Sequence, residues 1–127
     1  MLKTVLSSKI HRATVTQADL DYIGSISIDK NLLEATGLVE NEQVHVLDIT
    51  NGNRLTTYVI EAPAGSGEVC LNGAAARLIS KGDLVIICSY VQVNEEELKD
   101  HKPRIALVNE DNQVIKMLDK QAAMTKF

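Results

Sequence analysis

The residues of this chain best placed to do chemistry are Gly24 and Ser25, a hydroxyl next to an unhindered peptide carbonyl. Glycine has no side chain to block attack on its carbonyl, and it tolerates backbone geometries closed to other residues. Apolar and polar residues alternate from Ile26 to Ile28, which predicts a half-buried strand after the pair. Gly24 and Ser25 could therefore hold a nucleophile that attacks its own backbone, or they could form an ordinary junction between a loop and a strand.

The composition is that of an ordinary globular chain, and it excludes several functions. The 127 residues suffice for one domain with a hydrophobic core, and 45% are hydrophobic and 24% charged. The net charge of −4 and the lack of a long basic run argue against nucleic-acid binding. No apolar run approaches the roughly 20 residues of a membrane span. The N-terminus is too soon polar for a secretory signal, so we expect a cytoplasmic protein.

The two cysteines give no sign of a metal site. Cys70 and Cys88 lie far apart and match no metal-ligand spacing. Each lies in an apolar run, which predicts two buried free thiols. We therefore expect no metal.

Local patterns predict about seven or eight short strands with two or three short helices. Strands are expected at residues 10–16, 26–28, 43–49, 54–60, 68–71, 84–91, 104–108 and 113–118, and residues 2–6 also look extended. Turn signals at this density favour a small barrel over a layered α/β fold.

End signals place the other elements. Asp29 and Gly37 should cap a short helix, and Asn72 should open another. An Asn-Gly pair at 51–52 predicts a hairpin turn. Residues 94–99 look like a capped acidic turn or short helix, and residues 119–127 like a flexible tail.

Polar residues in unusual places suggest ligand binding. Lys9 and His11 share one face of an extended strand, where they could hold an anion or form an exposed basic edge. Thr57 interrupts the apolar face of its strand, opposite Arg54 and Tyr58. Asn72 precedes small residues whose free N–H groups could receive a carboxylate, or it is simply a helix cap.

Five segments of the chain, taken together, resemble one known family. They are residues 9–16 (KIHRATVT), 22–29 (YIGSISID), 51–58 (NGNRLTTY), 65–67 (GSG) and 70–78 (CLNGAAARL). In this order they resemble the bacterial aspartate 1-decarboxylases, and the resemblance runs from the N-terminus to about residue 118. Five motifs in the family's order are far more specific than any one of them.

The resemblance implies a fold, a maturation step and an activity. The implied fold is mainly β, a small six-stranded double-psi β-barrel with a few short helices, assembled as a homotetramer with sites between subunits. The single domain, residues 1–127, would cut itself between Gly24 and Ser25 into chains 1–24 and 25–127. Ser25 would become a covalent pyruvoyl group that converts L-aspartate to β-alanine and carbon dioxide through a Schiff base, a step toward pantothenate and coenzyme A. Whether maturation needs a partner protein stays open.

The resemblance also implies roles for individual residues. Ser25 would be the pyruvoyl precursor, Tyr58 the proton donor, and Thr57 an aid to ester formation and substrate binding. The other implied substrate-binding residues are Lys9, Arg54, Asn72, Gly73, Ala74 and Ala75, with His11 and Tyr22 supporting the pocket. Strict alternation separates Thr57 from Arg54 and Tyr58, so we expect either strong strand curvature or a site shared by two subunits.

Two other functions remain compatible with the residues themselves. A non-catalytic binding barrel would keep its chain intact and carry no carbonyl. A self-cleaving hydrolase would keep Ser25 as a nucleophile and show an ordinary serine amine at the new terminus.

Overall fold

A computed structural model describes residues 1–123 and 126 of the chain, and this part is mainly β. Its nine strands are β1 (Lys3–Thr14), β2 (Gln17–Asp19), β3 (Ser25–Asp29), β4 (Gln43–Asp48), β5 (Arg54–Ala62), β6 (Val69–Asn72), β7 (Leu84–Val93), β8 (Arg104–Val108) and β9 (Val114–Leu118). Its helices are α1 (Lys30–Thr36), a 3-10 helix (Gly73–Arg77) and α2 (Glu95–Asp100). The predicted β class with a few short helices is confirmed.

The strands form one mixed sheet in the order β2-β6-β3-β5-β4-β7-β1-β8-β9. Three neighbouring pairs are parallel, namely β1 with β8, β2 with β6, and β3 with β5. The sheet of the described residues has nine strands where six were expected. The double-psi barrel stays a prediction.

The strand β3 is covered on both faces, and this burial places Ser25 inside the protein. Ile26 and Ile28 belong to the hydrophobic core and are fully buried. Ser25 and Asp29 point to the opposite face and are buried too. Since β3 lies between β5 and β6, those two strands supply the surroundings of Ser25.

Local end signals predicted α1, α2 and the hairpin correctly. The Asp29 side chain accepts a hydrogen bond at the start of α1, and Gly37 ends that helix in a left-handed conformation (φ +80°). Asn94 forms a capping box at the start of α2. The Asn-Gly turn joins antiparallel β4 and β5. Neither helix, nor any other among the described residues, is long and apolar enough to cross a membrane.

The first strand differs from its prediction. The two expected segments are one strand, β1, whose pairing with β7 is irregular between Leu6 and Ser8 and between Ile10 and Ala13. Arg12 adopts φ +64° in the second irregularity, so Ile10 and Ala13 are both buried although they are three residues apart. The strand β2 is not among the predicted strands. Of the predicted tail, residues 124, 125 and 127 lie outside the described residues.

Candidate active site

A cavity of about 370 Å³ opens beside Gly24 and Ser25. Its lining consists of Gly24, Ser25, Leu55, Thr56, Thr57, Tyr58, Asn72, Ala74, Ala75 and Leu78. Seven of these ten residues were predicted from the sequence, and they come from three separate segments. A larger groove of about 880 Å³ along β8 and β9 is lined by none of the predicted residues among those described. Because the predicted residues line the smaller cavity, we take it as the candidate active site.

Ser25 has a strained backbone. Its φ of +110° lies in a region that residues with side chains rarely adopt, which typically costs about 1–3 kcal/mol. The residue is only 2% exposed. The strain therefore lies next to the peptide bond that the resemblance marks for cleavage.

Asn72 contacts Ser25 directly instead of capping a helix. It precedes the 3-10 helix, but its side chain makes no capping hydrogen bond, so the interpretation as an ordinary cap is wrong. Its Nδ2 donates to Oγ of Ser25 at 3.3 Å and to Oγ of Ser27 at 3.0 Å. The reason is the register of β3 on β6, which pairs Ser25 with Asn72.

The sequence reading missed the other partners of Asn72. Cys70 donates its thiol hydrogen to Oδ1 of Asn72 across 3.1 Å. Ser27 pairs with Cys70 across the same two strands. The available signal was the two-residue spacing of Ser25 with Ser27 and of Cys70 with Asn72, which puts each pair on one face of its strand.

Gly73 lies close against the Gly24 backbone. Gly73 adopts φ +64°, and a Cβ there would lie 2.9 Å from Cα of Gly24 and 3.1 Å from the backbone oxygen of Tyr22. Only glycine allows this approach. A Cβ on Gly24 would meet no atom within 4 Å among the described residues, so packing within this chain does not require glycine there.

The strand β5 brings Thr57 and Tyr58 to the same cavity. Exposure alternates as predicted, since Arg54, Thr56 and Tyr58 are exposed and Thr57 is half-buried. The cavity runs along the strand, so consecutive residues from Leu55 to Tyr58 line it. Thr57 and Tyr58 of one chain therefore line the same cavity, whereas Arg54 stays outside it.

The other predicted residues lie elsewhere in the chain. Lys9, His11, Tyr22 and Arg54 are absent from the cavity lining in the described part of the chain. Across the sheet, Lys9 pairs with Cys88, Cys88 with His45, and His45 with Thr56. Lys9 therefore lies three strand spacings, roughly 14 Å measured along the sheet, from the edge of the cavity.

Lys9, His11 and Arg54, which lie outside the cavity, interact with neighbouring groups. Nζ of Lys9 donates to Oε1 of Gln121 at 3.1 Å. Burial lowers the pKa of His11, and the nearby charges of Lys9 and Arg12 lower it further. Burial raises the pKa of Tyr90 on β7, while the positive charge of Arg54 opposes that shift. None of the described cavity residues is itself charged.

Comparison with known proteins assigns the chain to a family. The family described as aspartate decarboxylase matches residues 1–115. A Corynebacterium efficiens protein named aspartate 1-decarboxylase is 59% identical over 115 residues, covering 91% of this chain and 85% of that protein. Proteins of the same name from Clostridium beijerinckii and Bacillus licheniformis are 57% and 52% identical, covering 90% and 98% of this chain and 92% and 98% of their own. This chain therefore belongs to the aspartate decarboxylase family.

Proposed function

We propose that this protein decarboxylates L-aspartate to β-alanine with a pyruvoyl group made from its own Ser25. The observation that carries the proposal is the environment of Ser25. This residue is buried beside a cavity, has a strained backbone and accepts a hydrogen bond from Asn72. Family membership supports the reaction, since the relatives compared above are named for it.

Maturation would begin with an attack within the chain. Oγ of Ser25 adds to the Gly24 carbonyl carbon, the bond from that carbon to the Ser25 nitrogen breaks, and the nitrogen takes the hydroxyl proton. Backbone strain of about 1–3 kcal/mol favours the step, and an oxyanion donor typically adds about 3 kcal/mol. Thr57 lines the cavity beside this peptide and is proposed to assist ester formation.

Elimination would then cut the chain. The Cα proton of residue 25 passes to a base, the Cβ–Oγ bond breaks, and Gly24 leaves as a carboxylate. Water adds to the dehydroalanine that remains, and ammonia departs. The products are chain 1–24 and chain 25–127 with a pyruvoyl terminus.

The surroundings of Ser25 fit such a group. Residue 25 is already packed against a donor, Nδ2 of Asn72, and the adjoining cavity can admit a small substrate. When present, a pyruvoyl carbonyl condenses with an amine and accepts the electron pair that a departing carboxylate leaves.

Other cavity residues would bind the substrate and return its proton. The phenol of Tyr58 is proposed to donate a proton to the substrate carbon that loses carbon dioxide. Asn72 and the backbone of Gly73, Ala74 and Ala75 are proposed to bind the substrate. Small side chains at these positions leave the backbone accessible to it.

We further propose that a second copy of the chain completes each site, within a homotetramer of double-psi barrels. Aspartate carries two carboxylates, yet the described cavity residues include no cation. Arg54 can bind one carboxylate with two hydrogen bonds, and Lys9 can bind the other as a point charge. Since both lie outside the cavity of their own chain, a neighbouring copy is the natural source, with His11 and Tyr22 in support. A cytoplasmic location stays a prediction, and the need for a maturation partner stays open.

Ser25→Ala is the direct test, because it removes the attacking hydroxyl and nothing else. We expect wild-type protein to show two chains by intact mass, the larger without a serine amine, and to form β-alanine from L-aspartate. The variant should fold, stay uncut and make no β-alanine. The control Ser66→Ala removes an exposed loop hydroxyl and should behave like wild type.

The same measurement separates the rival functions. An intact wild-type chain would favour the binding barrel, and a normal serine terminus at position 25 would favour the hydrolase. An active Ser25→Ala protein would exclude the proposed mechanism.

A further inference from the structure

Cys70 makes a contact that the proposed function does not use. Its Sγ lies 3.1 Å from Oδ1 of Asn72, closer than the 3.9 Å to the backbone oxygen of Leu71. Both side chains are buried, and burial raises the pKa of the Cys70 thiol, so the thiol keeps its hydrogen at neutral pH. The contact is a hydrogen bond that the thiol donates to the amide oxygen.

Sheet register creates this contact. The antiparallel strands β3 and β6 pair Ser25 with Asn72 and Ser27 with Cys70. These four polar side chains share one face of the two strands, because paired residues and residues two apart point the same way. We call Ser25, Ser27, Cys70 and Asn72 the Asn72 network.

The thiol decides which end of the amide faces Ser25. An asparagine side chain accepts at its oxygen and donates at its nitrogen, and a half-turn exchanges the two. With Oδ1 bonded to Cys70, Nδ2 donates to the hydroxyls of Ser25 and Ser27. Without the thiol, the oxygen could face those hydroxyls instead, since a hydroxyl can donate as well as accept.

The orientation of the Asn72 amide matters most during elimination, the step that cuts the chain. Oγ of Ser25 becomes the ester oxygen and leaves with the Gly24 carboxylate, so negative charge grows on it as the Cβ–Oγ bond breaks. Hydrogen bonds to an ionised oxygen are roughly twice as strong as bonds between neutral groups. The donor Nδ2 should therefore assist elimination more than the initial attack.

We propose that Cys70 is a positioning residue for chain cleavage, whose thiol holds Asn72 with its nitrogen toward Oγ of Ser25. The inference rests on the proposed self-cleavage. Cys70 acts only through Asn72 and touches no substrate.

The test follows the cleavage of newly synthesised full-length chain by intact mass, with and without hydroxylamine. Hydroxylamine removes the Gly24 acyl group from an ester as a hydroxamate and releases chain 25–127 with an ordinary serine amine, so it reports the ester. Cys70→Ala removes the donor, and Cys70→Ser keeps a shorter one. Cys88→Ala makes the same change at the other buried cysteine, on β7, and is the matched control.

We expect Cys70→Ala to form the pyruvoyl chain about five-fold more slowly, the effect of one hydrogen bond, while hydroxylamine-sensitive ester accumulates. Cys70→Ser should recover part of the rate, and Cys88→Ala should cleave like wild type. In an Asn72→Ala background, Cys70→Ala should cause no further slowing, because the thiol acts through that amide. If Cys70→Ala does not fold, Cys70→Val fills the space without a donor and takes its place.

Several outcomes would overturn the role of Cys70. One is cleavage at the wild-type rate in folded Cys70→Ala protein. Another is that Cys70→Ala slows cleavage equally in the wild-type and the Asn72→Ala background. The third is loss of the fold in both Cys70→Ala and Cys70→Val, which would make Cys70 a packing residue. A wild-type chain that is never cut would instead overturn the proposed function. The two failures are therefore distinguishable.

Discussion

At the scale of single residues, Ser25 combines a strained backbone, a buried hydroxyl and an amide donor. The φ of +110° raises the energy of the uncut chain, which lowers the barrier to any step that relieves the strain. Burial to 2% exposure keeps bulk water away from the Ser25 hydroxyl. Asn72 holds the hydroxyl in place. Together these features favour attack from within the chain over hydrolysis by solvent.

Tyr58→Phe should separate maturation from turnover. Tyr58 lines the cavity and is 39% exposed, and its proposed role is to donate a proton during turnover. Without the hydroxyl the ring still packs, so the chain should be cut as in wild type. Formation of β-alanine should fall about 10²–10⁴-fold, the usual contribution of a general acid. Intact mass measures the first result and a β-alanine assay the second.

Either of two results would contradict this role. Turnover at the wild-type rate would remove Tyr58 as the proton donor. An uncut Tyr58→Phe chain would move the phenol from turnover to maturation.

Residue types predicted most of the cavity lining but not the contacts that orient it. Thr57 was predictable because a polar residue on an apolar strand face is conspicuous. The bond from Asn72 to Ser25 was not, because it joins residues 47 positions apart and depends on strand register. Local alternation shows which face a residue takes, but it does not show which residue lies opposite.

At the scale of elements, the hairpin between β4 and β5 supports the cavity wall. Oδ1 of Asp48 accepts hydrogen bonds from the backbone N–H of Thr50 at 2.8 Å and of Asn51 at 3.2 Å. The side chains of Asn51 and Asn53 both donate to the backbone oxygen of Leu78, at 3.0 and 2.8 Å. Because Leu78 lines the cavity, the turn fixes part of its wall.

Stability should depend on pH through Asp48. Burial raises the pKa of Asp48 above its ordinary value of 3.8, and the neighbouring Asp83 carboxyl raises it further. The folded state thus holds the proton more tightly than the unfolded chain. The stabilisation that protonated Asp48 contributes is complete below pH 3.8, and it is lost as pH rises through the folded-state pKa of this carboxyl. Asp48→Asn, which cannot ionise, should therefore gain in melting temperature relative to its parent as pH rises from about 4 to 7.5.

The measurement is best made in a Ser25→Ala background, where one uncut chain unfolds. Asp83→Asn removes the neighbouring carboxyl and should reduce the same pH dependence by a smaller amount, because burial is the larger cause. A constant difference in melting temperature across the pH range would contradict the prediction.

Elements with local end signals were predictable, whereas those shaped by distant strands were not. The helix α1 begins and ends at its capping residues, Asp29 and Gly37. The strand β2 has three residues, too few for a period, and exists through its parallel pairing with β6. The irregularity at Arg12 likewise arises where β1 pairs with β7.

At the scale of the whole molecule, positive charge and cavity occupy separate places. Lys9 and Arg54 lie outside a cavity whose described lining is uncharged. In the cavity of a single chain, the two carboxylates of aspartate would have no cationic partner among the described lining residues. A buried unpaired charge is strongly unfavourable. Sequence reasoning could predict the cations and the cavity residues, but the distance between them depends on the strand order across the sheet.

Co-expression of two inactive variants should restore activity if each site uses two copies. Arg54→Ala removes a cation and Tyr58→Phe removes the proposed proton donor, so each alone should turn over poorly. In mixed assemblies about a quarter of the sites combine a wild-type Arg54 with a wild-type Tyr58, and about a quarter of wild-type turnover per cut chain is expected.

The control co-expresses wild type with the Arg54→Ala/Tyr58→Phe double variant, which should also leave about a quarter of the sites intact. If one copy supplied both residues, the mixture of single variants would be no more active than either alone. The wild-type mixture would then keep about half of its activity.

Residues 1–24 occupy two separate parts of the sheet. β1 lies between β7 and β8, and β2 pairs with β6. After a cut at position 24, strand pairing and packing alone would hold this segment. Reassembly of a denatured, cut molecule would then be bimolecular and would fail on dilution, whereas an uncut chain refolds independently of its concentration. Folding must therefore precede the cut, and unfolding of the mature molecule at low concentration would in effect be irreversible.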